Sequence, residues 1–437
     1  MTGGQPLSRS GLSRLVATRA LTFSLEDEFE ELAQHLDQLA DARIVLLGES
    51  THGTSEFYRA RAAITQRLIG KHGFRLLAIE ADWPDTVELD RYIRGSGPWG
   101  EQDAFVNFPR WMWRNKEFAG FLAGLRQWNA LRAKADQVSI HGLDVYSLDK
   151  SMAAVLSYLD RIDPPAAALA RRRYACLSPF VGRPQIYGAQ AVYTGRTCED
   201  EVIRQLIDLL NARVSYIGQD GDRFFDAEHN ARVVCAAEQY YRAMHRGAVE
   251  SWNLRDTHMY STLKRLMDRK GPEARAVVWA HNSHIGDARA TMMGQRGEYN
   301  IGQLCREQFG SDVAAIGFVA CSGNVLAADA WGAAGRVRQI MPPLAESWEQ
   351  VFSETEMPAG LLIWRHDAEL SDILDQARIE RAIGVIYRPE SERWSHSFGA
   401  NLARQFDAIV WMSGTTALTP LAGAPPEGAP DTYPFGI

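Results

Sequence analysis

Acidic and imidazole side chains follow several short apolar runs of this chain, at the point where each run ends. Glu49 and His52 follow the first run, and Glu80 follows the second. His281 and His284 follow a later run. An imidazole held by a carboxylate can take a proton from water, while a second imidazole can stabilise the charge that develops on a carbonyl oxygen. These residue types therefore predict general acid–base chemistry on a carbonyl compound.

The segment after His52 predicts a helix that carries an arginine toward the same place. Its apolar residues recur at helical spacing: Phe57, Ala60, Ile64 and Leu68. At 100° per residue, Arg61 falls inside this buried stripe. A buried guanidinium needs an acidic partner. We therefore expect Arg61 to pair with Glu49 or Glu80.

Eight short apolar runs predict β-strands. They span residues 42–49, 74–82, 137–145, 275–283, 312–320, 360–366, 383–388 and 407–414. Their apolar residues are continuous rather than alternating, which indicates burial on both faces, as in a parallel sheet. Longer segments with helical spacing separate several of the runs. We therefore expect an α/β fold with a largely parallel core sheet flanked by helices.

The middle of the chain has a different pattern. Residues 150–265 carry helical spacing without a strand-like run, and we interpret them as a helical subdomain that covers the cleft. Residues 1–149 then form the first part of the α/β core. Residues 266–437 form its second part and a C-terminal tail rich in proline and glycine. Ligands of open α/β sheets bind beyond the carboxyl ends of the strands, so we expect the strand-end residues to meet there.

Three other interpretations of these residues remain open. Ser50 lies in GESTHG, which nearly matches the G-x-S-x-G turn of serine hydrolases, but His52 stands where that turn needs glycine. Glu49-x-x-His52 and His281-x-x-His284 offer ligand types that suit zinc, although the sequence has no H-E-x-x-H motif. The third interpretation is a binding module without catalysis, whose apolar pocket is lined by tryptophans: Trp83, Trp111 and Trp113.

Six segments occur in a fixed order between residues 40 and 305: LLGESTHGTSEF, LLAIEADWPD, FPRWMWRNKEF, HGLDVYS, WNLRDTHMY and VVWAHNSHIG. In this order they resemble the erythromycin esterase family. The better-known members of that family hydrolyse the ester of macrolide lactones without a bound cofactor, and many relatives have no known substrate. The resemblance implies an α/β core with a helical subdomain over the cleft.

The resemblance also implies roles for individual residues. The catalytic positions of the family fall on His52 (the water-activating histidine), Glu49 and Glu80 (its paired glutamates), Arg61 and His284. The residues expected to bind substrate are His281, Trp83, Trp111, Trp113, Arg114, Asp144, Arg255 and Asp256. The chain departs from the family in RDTHMYSTL, which lacks the acidic and amide residues expected after the methionine.

Composition limits the classes of partner. The formal net charge of −7 and the pI near 5.9 argue against nucleic acid, whose binding needs a basic face. No uninterrupted apolar run reaches the ~18 residues of a membrane span, so no membrane partner is expected. Five cysteines, an odd number without a C-x-x-C pair, indicate reduced and buried thiols in a cytoplasmic protein. The sequence carries no signal for an oligomeric state.

These patterns together predict a soluble, esterase-like hydrolase. It would cleave an ester or macrolactone of a small-molecule substrate by His52-activated water, with neither a covalent intermediate nor a cofactor. A macrolide substrate would imply a role in antibiotic resistance. The first alternative is a paralogue in secondary metabolism that forms or modifies a lactone at the same site. The second is a metal-dependent hydrolase that uses the Glu/His cluster.

Overall fold

A computed structural model of the protein describes residues 8–26, 28–97, 105 and 109–421. The predicted C-terminal tail lies outside the described residues from position 422 onward. The described part of the chain contains eleven strands. They are β1 (Ile44–Leu47), β2 (Leu76–Asp82), β3 (Ser139–Asp144), β4 (Ala276–Trp279), β5 (Val313–Ala320), β6 (Asn324–Ala327), β7 (Arg336–Gln339), β8 (Ala359–Ile363), β9 (Ala377–Arg381), β10 (Ser397–Asn401) and β11 (Ala408–Met412).

Seven of these strands form one sheet in the order β3-β2-β4-β1-β5-β11-β8. Every neighbouring pair is parallel except β11 and β8, which are antiparallel. The other four strands form two short antiparallel pairs, β6 with β7 and β9 with β10. The largely parallel α/β sheet predicted from the sequence is therefore confirmed.

Nineteen α-helices accompany these strands in the described residues. They are α1 (Arg9–Arg19), α2 (Glu30–His35), α3 (Ser55–His72), α4 (Trp83–Ile93), α5 (Arg110–Trp113), α6 (Lys116–Ala130), α7 (Leu148–Ile162), α8 (Pro164–Tyr174), α9 (Pro184–Thr194), α10 (Glu199–Asn211), α11 (Arg213–Ala243), α12 (Ala248–Lys270), α13 (Asn282–Ile285), α14 (Met292–Gln295), α15 (Ile301–Phe309), α16 (Trp348–Ser353), α17 (Ala368–Leu374), α18 (Glu392–Ser395) and α19 (Leu402–Gln405). Within the part of the chain that is described, no helix is both long and apolar enough to cross a bilayer.

Both faces of the sheet are buried, as the continuous apolar runs predict. Successive side chains of a strand point to opposite faces. In β1, Val45 and Leu47 join the apolar cluster on one face, and Ile44 and Leu46 join the cluster on the other. Because helices cover both faces, polar groups can meet only at the ends of the strands.

The predicted strand at 383–388 is wrong. This segment forms only isolated bridges, one of them between Ile383 and Thr51. Its backbone runs beside the residues that follow β1, where the Ile383 N–H donates to the Ser50 carbonyl oxygen at 2.8 Å. Since β4 and β5 already pair with the two edges of β1, the segment has no open strand edge to join there.

Helices α7 to α12 follow one another between residues 148 and 270, a stretch that is described in full and contains no strand. Helices α7 to α11 enclose an apolar core of their own, which includes Val155, Leu159 and Tyr241. Met259 of α12 lies instead in the cluster formed by residues of β1 and β4. Helix α12 therefore links the helical block to the sheet.

Cys176 and Cys198 form a disulfide, so the prediction of five reduced cysteines is wrong for this pair. Their Cα atoms are 6.1 Å apart although 22 residues separate them in sequence. Helices α8 and α10 contact each other, and this packing brings together the residues that follow α8 and precede α10. Cys305 and Cys321 are buried free thiols, as expected.

Candidate active site

The first polar group lies at the carboxyl end of β1. Oε1 of Glu49 lies 2.9 Å from Nδ1 of His52, and Oε2 accepts a hydrogen bond from the Arg61 guanidinium at 2.5 Å. Glu49 and Arg61 are fully buried, and His52 is 2% exposed. An ionised carboxylate can only accept, so Nδ1 of His52 donates to it. Nε2 is then the unprotonated nitrogen of the neutral ring.

Two glycines allow the backbone to turn tightly at this strand end. A Cβ on Gly48 would collide with the Asn282 side chain, and a Cβ on Gly53 would collide with the Leu326 backbone. The Asn282 N–H donates to the Glu49 carbonyl oxygen at 2.8 Å, which ties the end of β1 to α13. Glycine at both positions therefore permits the close approach of these segments.

Arg61 is enclosed by aromatic rings as well as paired with Glu49. Its guanidinium carbon lies 4.6 Å from the ring centroid of Tyr58 and 4.8 Å from that of Trp279. Glu49 is one of the two partners that the helical spacing of α3 predicted for this arginine. Arg61 therefore fixes the carboxylate that holds His52, and its own side chain does not reach solvent.

A second polar group is centred on Arg255 of α12. Its Nε and one terminal nitrogen donate to the two carboxylate oxygens of Asp144 at 2.9 and 2.7 Å. The same terminal nitrogen donates to Oε1 of Glu80 at 2.7 Å, and the other lies 2.9 Å from Nε2 of His284. Arg255 therefore joins the ends of β2 and β3 to the helix that follows β4.

His284 lies between two carboxylates. Its Nδ1 is 2.9 Å from the nearer oxygen of Asp256, and its Nε2 is 3.4 Å from Oε1 of Glu80. Its ring stacks on Trp252, with the centroids 4.5 Å apart and 3° between the planes. Burial lowers the pKa of His284, but the charges of Asp256 and Glu80 outweigh burial and raise the pKa above its usual value.

Glu80 is the anion that connects the two polar groups. Burial raises its pKa, but the positive charges of His284 and Arg255 outweigh burial and hold the pKa well below its usual range. Oε2 of Glu80 accepts the backbone N–H of His281 at 2.8 Å. Glu80 therefore fixes the backbone of the segment that carries both later histidines.

His281 lies beside His52, with the ring centroids 5.0 Å apart. Its Nδ1 accepts the Ser283 backbone N–H at 3.2 Å and lies 2.8 Å from the Ser283 hydroxyl. The ring therefore carries its proton on Nε2. Burial and the neighbouring His52 lower the pKa of His281 well below its usual value. His281 is thus a neutral N–H donor next to the His52 ring.

Most of the predicted site residues meet in one cluster at the strand ends. The strand-end cluster consists of Glu49, His52, Arg61, Glu80, Asp144, Arg255, Asp256, His281 and His284. Trp113 borders it, because its Nε1–H donates to the Glu80 carbonyl oxygen at 3.2 Å. Trp83 packs elsewhere, with its ring centroid 5.2 Å from that of His141 and 3.8 Å from that of His229.

Trp111 and Arg114 flank Trp113 in the same segment. The Trp111 ring packs against the backbone of Gly335. Arg114 is only 8% exposed. Its guanidinium has neither a hydrogen-bond nor an ion-pair partner among the residues that the structure describes. Arg114 is therefore a nearly buried cation to which the described residues offer no counter-charge.

The geometry around Ser50 does not resemble a nucleophile and its base. Ser50 is fully buried, and its Oγ accepts the Ala320 N–H at 3.3 Å. The imidazole of His52 is instead bonded to Glu49. For a metal, the described ranges contain no group of three or more His, Cys, Asp or Glu side chains placed to hold an ion.

Sequence reasoning missed the aromatic residues that enclose the two arginines and His284. Tyr58 lies over Arg61, and Tyr146 lies 5.0 Å from the guanidinium carbon of Arg255. Trp252 stacks on the imidazole of His284. Helical spacing carried a usable signal, because Tyr58 and Trp252 each stand three residues before an arginine of the cluster and so share its helix face.

The erythromycin esterase family model matches residues 69–415 of the chain. The match contains Glu80, Arg255 and His284, and it extends well beyond the segments whose motifs carry the resemblance. Glu49 and His52 precede the matched range.

Individual relatives are distant but cover most of the chain. The chain is 20% identical over 402 residues to the putative hydrolase YbfO of Bacillus subtilis (strain 168), covering 86% of this chain and 85% of that protein. A solved succinoglycan biosynthesis protein aligns with a TM-score of 0.78 at 20% identity, over 95% of this chain and 100% of that one. A mutant of the erythromycin esterase EreC in its open conformation aligns with a TM-score of 0.66 at 18% identity, over 89% and 94% of the two chains.

These solved structures establish a shared fold, and the family match covers most of the sequence. The chain therefore belongs to the erythromycin esterase family and is a hydrolase of that family.

Proposed function

We propose that the protein hydrolyses a carboxylic ester or lactone by direct attack of a water molecule that His52 activates. The observation that carries the proposal is the 2.9 Å contact between Glu49 and Nδ1 of His52, which leaves Nε2 as the basic nitrogen. The ion pair between Arg61 and Glu49 holds the carboxylate in place. A general base held in this way contributes about 10²–10⁴ to the rate.

In the proposed reaction, the oxygen of water attacks the carbonyl carbon while Nε2 of His52 takes a proton from that water. The carbonyl oxygen becomes the oxyanion of a tetrahedral intermediate. The protonated His52 then gives the proton to the leaving alkoxide oxygen as the C–O bond breaks. The products are a carboxylic acid and an alcohol, which remain in one ring-opened molecule when the substrate is a lactone. No bond forms between substrate and protein.

His281 is the proposed donor to the oxyanion. Its neutral ring has its proton on Nε2, and its centroid lies 5.0 Å from that of His52. A donor fixed before the reaction stabilises developing charge without having to reorganise. Arg255 and His284 are already bonded to protein groups. They would act as positioning residues, because they hold Glu80, which in turn holds the His281 backbone.

The proposed substrate is fairly large and partly apolar, and it carries a polar substituent. Trp113 borders the strand-end cluster, and Trp111 and Arg114 belong to the same segment. The guanidinium of Arg114 would bind an acceptor on the substrate, since the described residues leave it without a partner. A macrolide has the required size and an ester in its ring, and the name of the structural neighbour EreC supports this class.

Turnover followed by mass spectrometry tests the proposal. The purified protein is incubated with a panel of macrolides, simpler lactones and aryl esters. We expect a product that has gained one water from at least one substrate, with no fluorophosphonate labelling of Ser50. Absence of product from the whole panel, or labelling of Ser50 with loss of activity, would contradict direct water attack.

Two further arms of the experiment separate the alternatives. Ring-opened hydroxy acids are included to test lactone formation, which a paralogue in secondary metabolism would catalyse with the same base. Each active reaction is repeated after treatment with a chelator, and metal content is measured by elemental analysis. Loss of activity together with stoichiometric metal would favour the metal-dependent alternative over the proposal.

A further inference from the structure

A cavity of about 260 Å³ lies between α4 and the helical block, and no residue of the strand-end cluster lines it. Three helices each contribute four residues: Pro84, Val87, Glu88 and Arg91 from α4, Ala154, Ser157, Tyr158 and Arg161 from α7, and Arg223, Asp226, Ala227 and Asn230 from α11. Each set has the spacing i, i+3, i+4, i+7, which marks a single helix face. The α4–α7–α11 cavity is therefore enclosed by three facing helices.

Two residues that line this cavity, which we call its floor, each carry a buried polar atom without a partner among the described residues. Tyr158 is 4% exposed and Asn230 is 3% exposed. Neither the Tyr158 hydroxyl nor Oδ1 of Asn230 has a hydrogen-bond partner in the described part of the chain. The amide nitrogen of Asn230 donates to the Asp226 carbonyl oxygen at 2.8 Å, which fixes Oδ1 as a free acceptor. Such atoms are costly to leave unpaired, so the floor is suited to a ligand that carries hydroxyl groups.

The rim of the cavity carries three arginines, two of which are paired with acidic residues. Arg91 pairs with Glu88 at 2.5 Å, and Arg223 pairs with Asp220 at 3.3 Å. Arg161 lies 5.8 Å from the Tyr158 ring and has no carboxylate within ion-pair distance among the described residues. An anionic group of a ligand could form an ion pair with the guanidinium of Arg161.

The remaining acidic group of the cavity opposes an anion less than an ordinary carboxylate does, because its pKa is raised. Burial raises the pKa of Asp226 to about 7, and the neighbouring charge of Asp90 adds to that shift. The protonated form of the Asp226 carboxyl can donate a hydrogen bond to an anion.

We propose that the α4–α7–α11 cavity is a second ligand site, which binds a small hydroxylated anion. Its phosphate or carboxylate group would lie against Arg161, and its hydroxyl groups would donate to Oδ1 of Asn230 and accept from Tyr158. The volume is below the 300–1,000 Å³ that is usual for drug-sized ligands, so the ligand has only a few carbon atoms. The site is thus distinct from the proposed ester site in both position and ligand size.

Isothermal titration calorimetry of the full chain tests the proposal with two probes, glycerol 3-phosphate and glycerate. They share hydroxyl groups and differ in the anion, so the tighter one identifies the anionic group. Inorganic phosphate and glycerol serve as controls, because the first carries only the anionic group of glycerol 3-phosphate and the second only its hydroxyl groups. We expect saturable binding of at least one probe, weaker binding of phosphate, and no heat from glycerol.

Matched variants locate the binding. Tyr158→Phe and Tyr174→Phe each remove a buried hydroxyl that lacks a partner within the described chain, and only the first lines the cavity. Arg161→Gln and Arg172→Gln each remove an exposed arginine, and again only the first lines the cavity. We expect Tyr158→Phe to raise the Kd about fivefold and Arg161→Gln about tenfold or more, with the two control variants unchanged.

Three results would overturn the proposal. The first is no saturable binding of either probe at millimolar concentrations. The second is phosphate binding as tightly as glycerol 3-phosphate, since the floor would then contribute nothing. The third is an equal loss of affinity in the cavity variants and their controls. Because the variants remove unpaired groups, their circular dichroism spectra should match that of the parent protein.

Discussion

Two buried histidines of this protein pack against tryptophan rings, yet their surroundings shift their pKa values in opposite directions. The ring of His284 lies 4.5 Å from that of Trp252. Burial lowers the pKa of His284, but the carboxylates of Asp256 and Glu80 outweigh burial and raise it. This histidine stays basic although its side chain is fully buried.

His229 shows what burial does without a carboxylate. Its ring lies 3.8 Å from that of Trp83, and its Nε2 lies 3.3 Å from the Thr262 hydroxyl. Burial lowers the pKa of His229 well below its usual value, and the neighbouring His258 lowers it further. A carboxylate partner therefore makes a buried histidine of this protein suitable as a base, whereas burial alone lowers its pKa.

The largest effect should separate His52, which like His284 has a carboxylate partner, from His229, whose hydrogen-bond partner is a hydroxyl. We expect His52→Gln to lower kcat/KM by about 10²–10⁴, because it removes the proposed base. His229→Gln is the matched control and should change the rate by less than about tenfold, because its ring lies among the packed residues around Trp83. Steady-state kinetics on any substrate identified in the turnover panel measures both values. A His52→Gln protein with full turnover would remove the proposed role.

Apolar replacement should also cost more in the strand-end cluster, where Arg255 is held by ion pairs, than at His229, which packs against Trp83. Arg255→Met leaves Asp144 and Glu80 without their cation, and we expect a loss of about 3–5 kcal/mol in the free energy of unfolding. His229→Phe keeps a ring of similar size on Trp83 and should cost less than about 1.5 kcal/mol. Urea denaturation compares the two variants. Equal losses would show that the two clusters are held by the same kind of interaction.

The opposite pKa shifts predict opposite dependences of stability on pH. His229 is neutral when folded and gains a proton on unfolding, so it destabilises the protein as the pH falls below about 6.5. His284 holds its proton more tightly when folded, so its contribution is complete below about 6.5 and is lost as the pH rises through its raised pKa.

Urea denaturation between about pH 5 and pH 8 measures this difference. His229→Phe should become more stable relative to the parent protein by up to about 1.4 kcal/mol for each pH unit below about 6.5. His284→Gln should lose more stability at about pH 5 than at about pH 8, since it removes a charge-stabilised proton. Parallel curves for the parent and both variants would contradict the assigned shifts.

The smallest effect is expected at Ser50, which is buried but has no imidazole partner in the described residues. Ser50→Ala removes an acceptor for the Ala320 N–H and should cost about 1 kcal/mol of stability. The rate should change by less than about threefold, since Ser50 takes no part in the proposed reaction. The same kinetic assay measures it. A loss comparable with that of His52→Gln would favour the serine alternative.

The sequence predicted the features of this fold that local patterns encode. Continuous apolar runs identified all seven strands of the large sheet, and their polar ends identified the place where Glu80 meets the segment that carries His281 and His284. The helical spacing of α3 predicted that Arg61 points into the core toward a glutamate. Each of these predictions depends on residues that are close in sequence or on the general geometry of parallel sheets.

Other features depend on packing between distant segments, which a single sequence does not encode. Asp144, Glu80 and His284 meet only because Arg255 of α12 lies over three strand ends. The pairing of Cys176 with Cys198 follows from the contact between α8 and α10.

The apolar run at 383–388 is β-like by composition, but both edges of β1, beyond whose end it lies, are occupied. A prediction from composition alone therefore placed this segment in the sheet incorrectly. For Trp83, the sequence could not distinguish a pocket wall from packing against His229.

The tautomer of His52 tests the central claim most directly, because it requires no knowledge of the substrate. A long-range ¹H–¹⁵N NMR spectrum of the protein, assigned by comparison with His52→Gln, distinguishes a ring protonated at Nδ1 from one protonated at Nε2. We predict that neutral His52 carries its proton on Nδ1, bonded to Glu49, with Nε2 unprotonated. A neutral His52 with its proton on Nε2 would rule out the proposed role of His52, because the nitrogen assigned to activate water would then be unable to accept a proton.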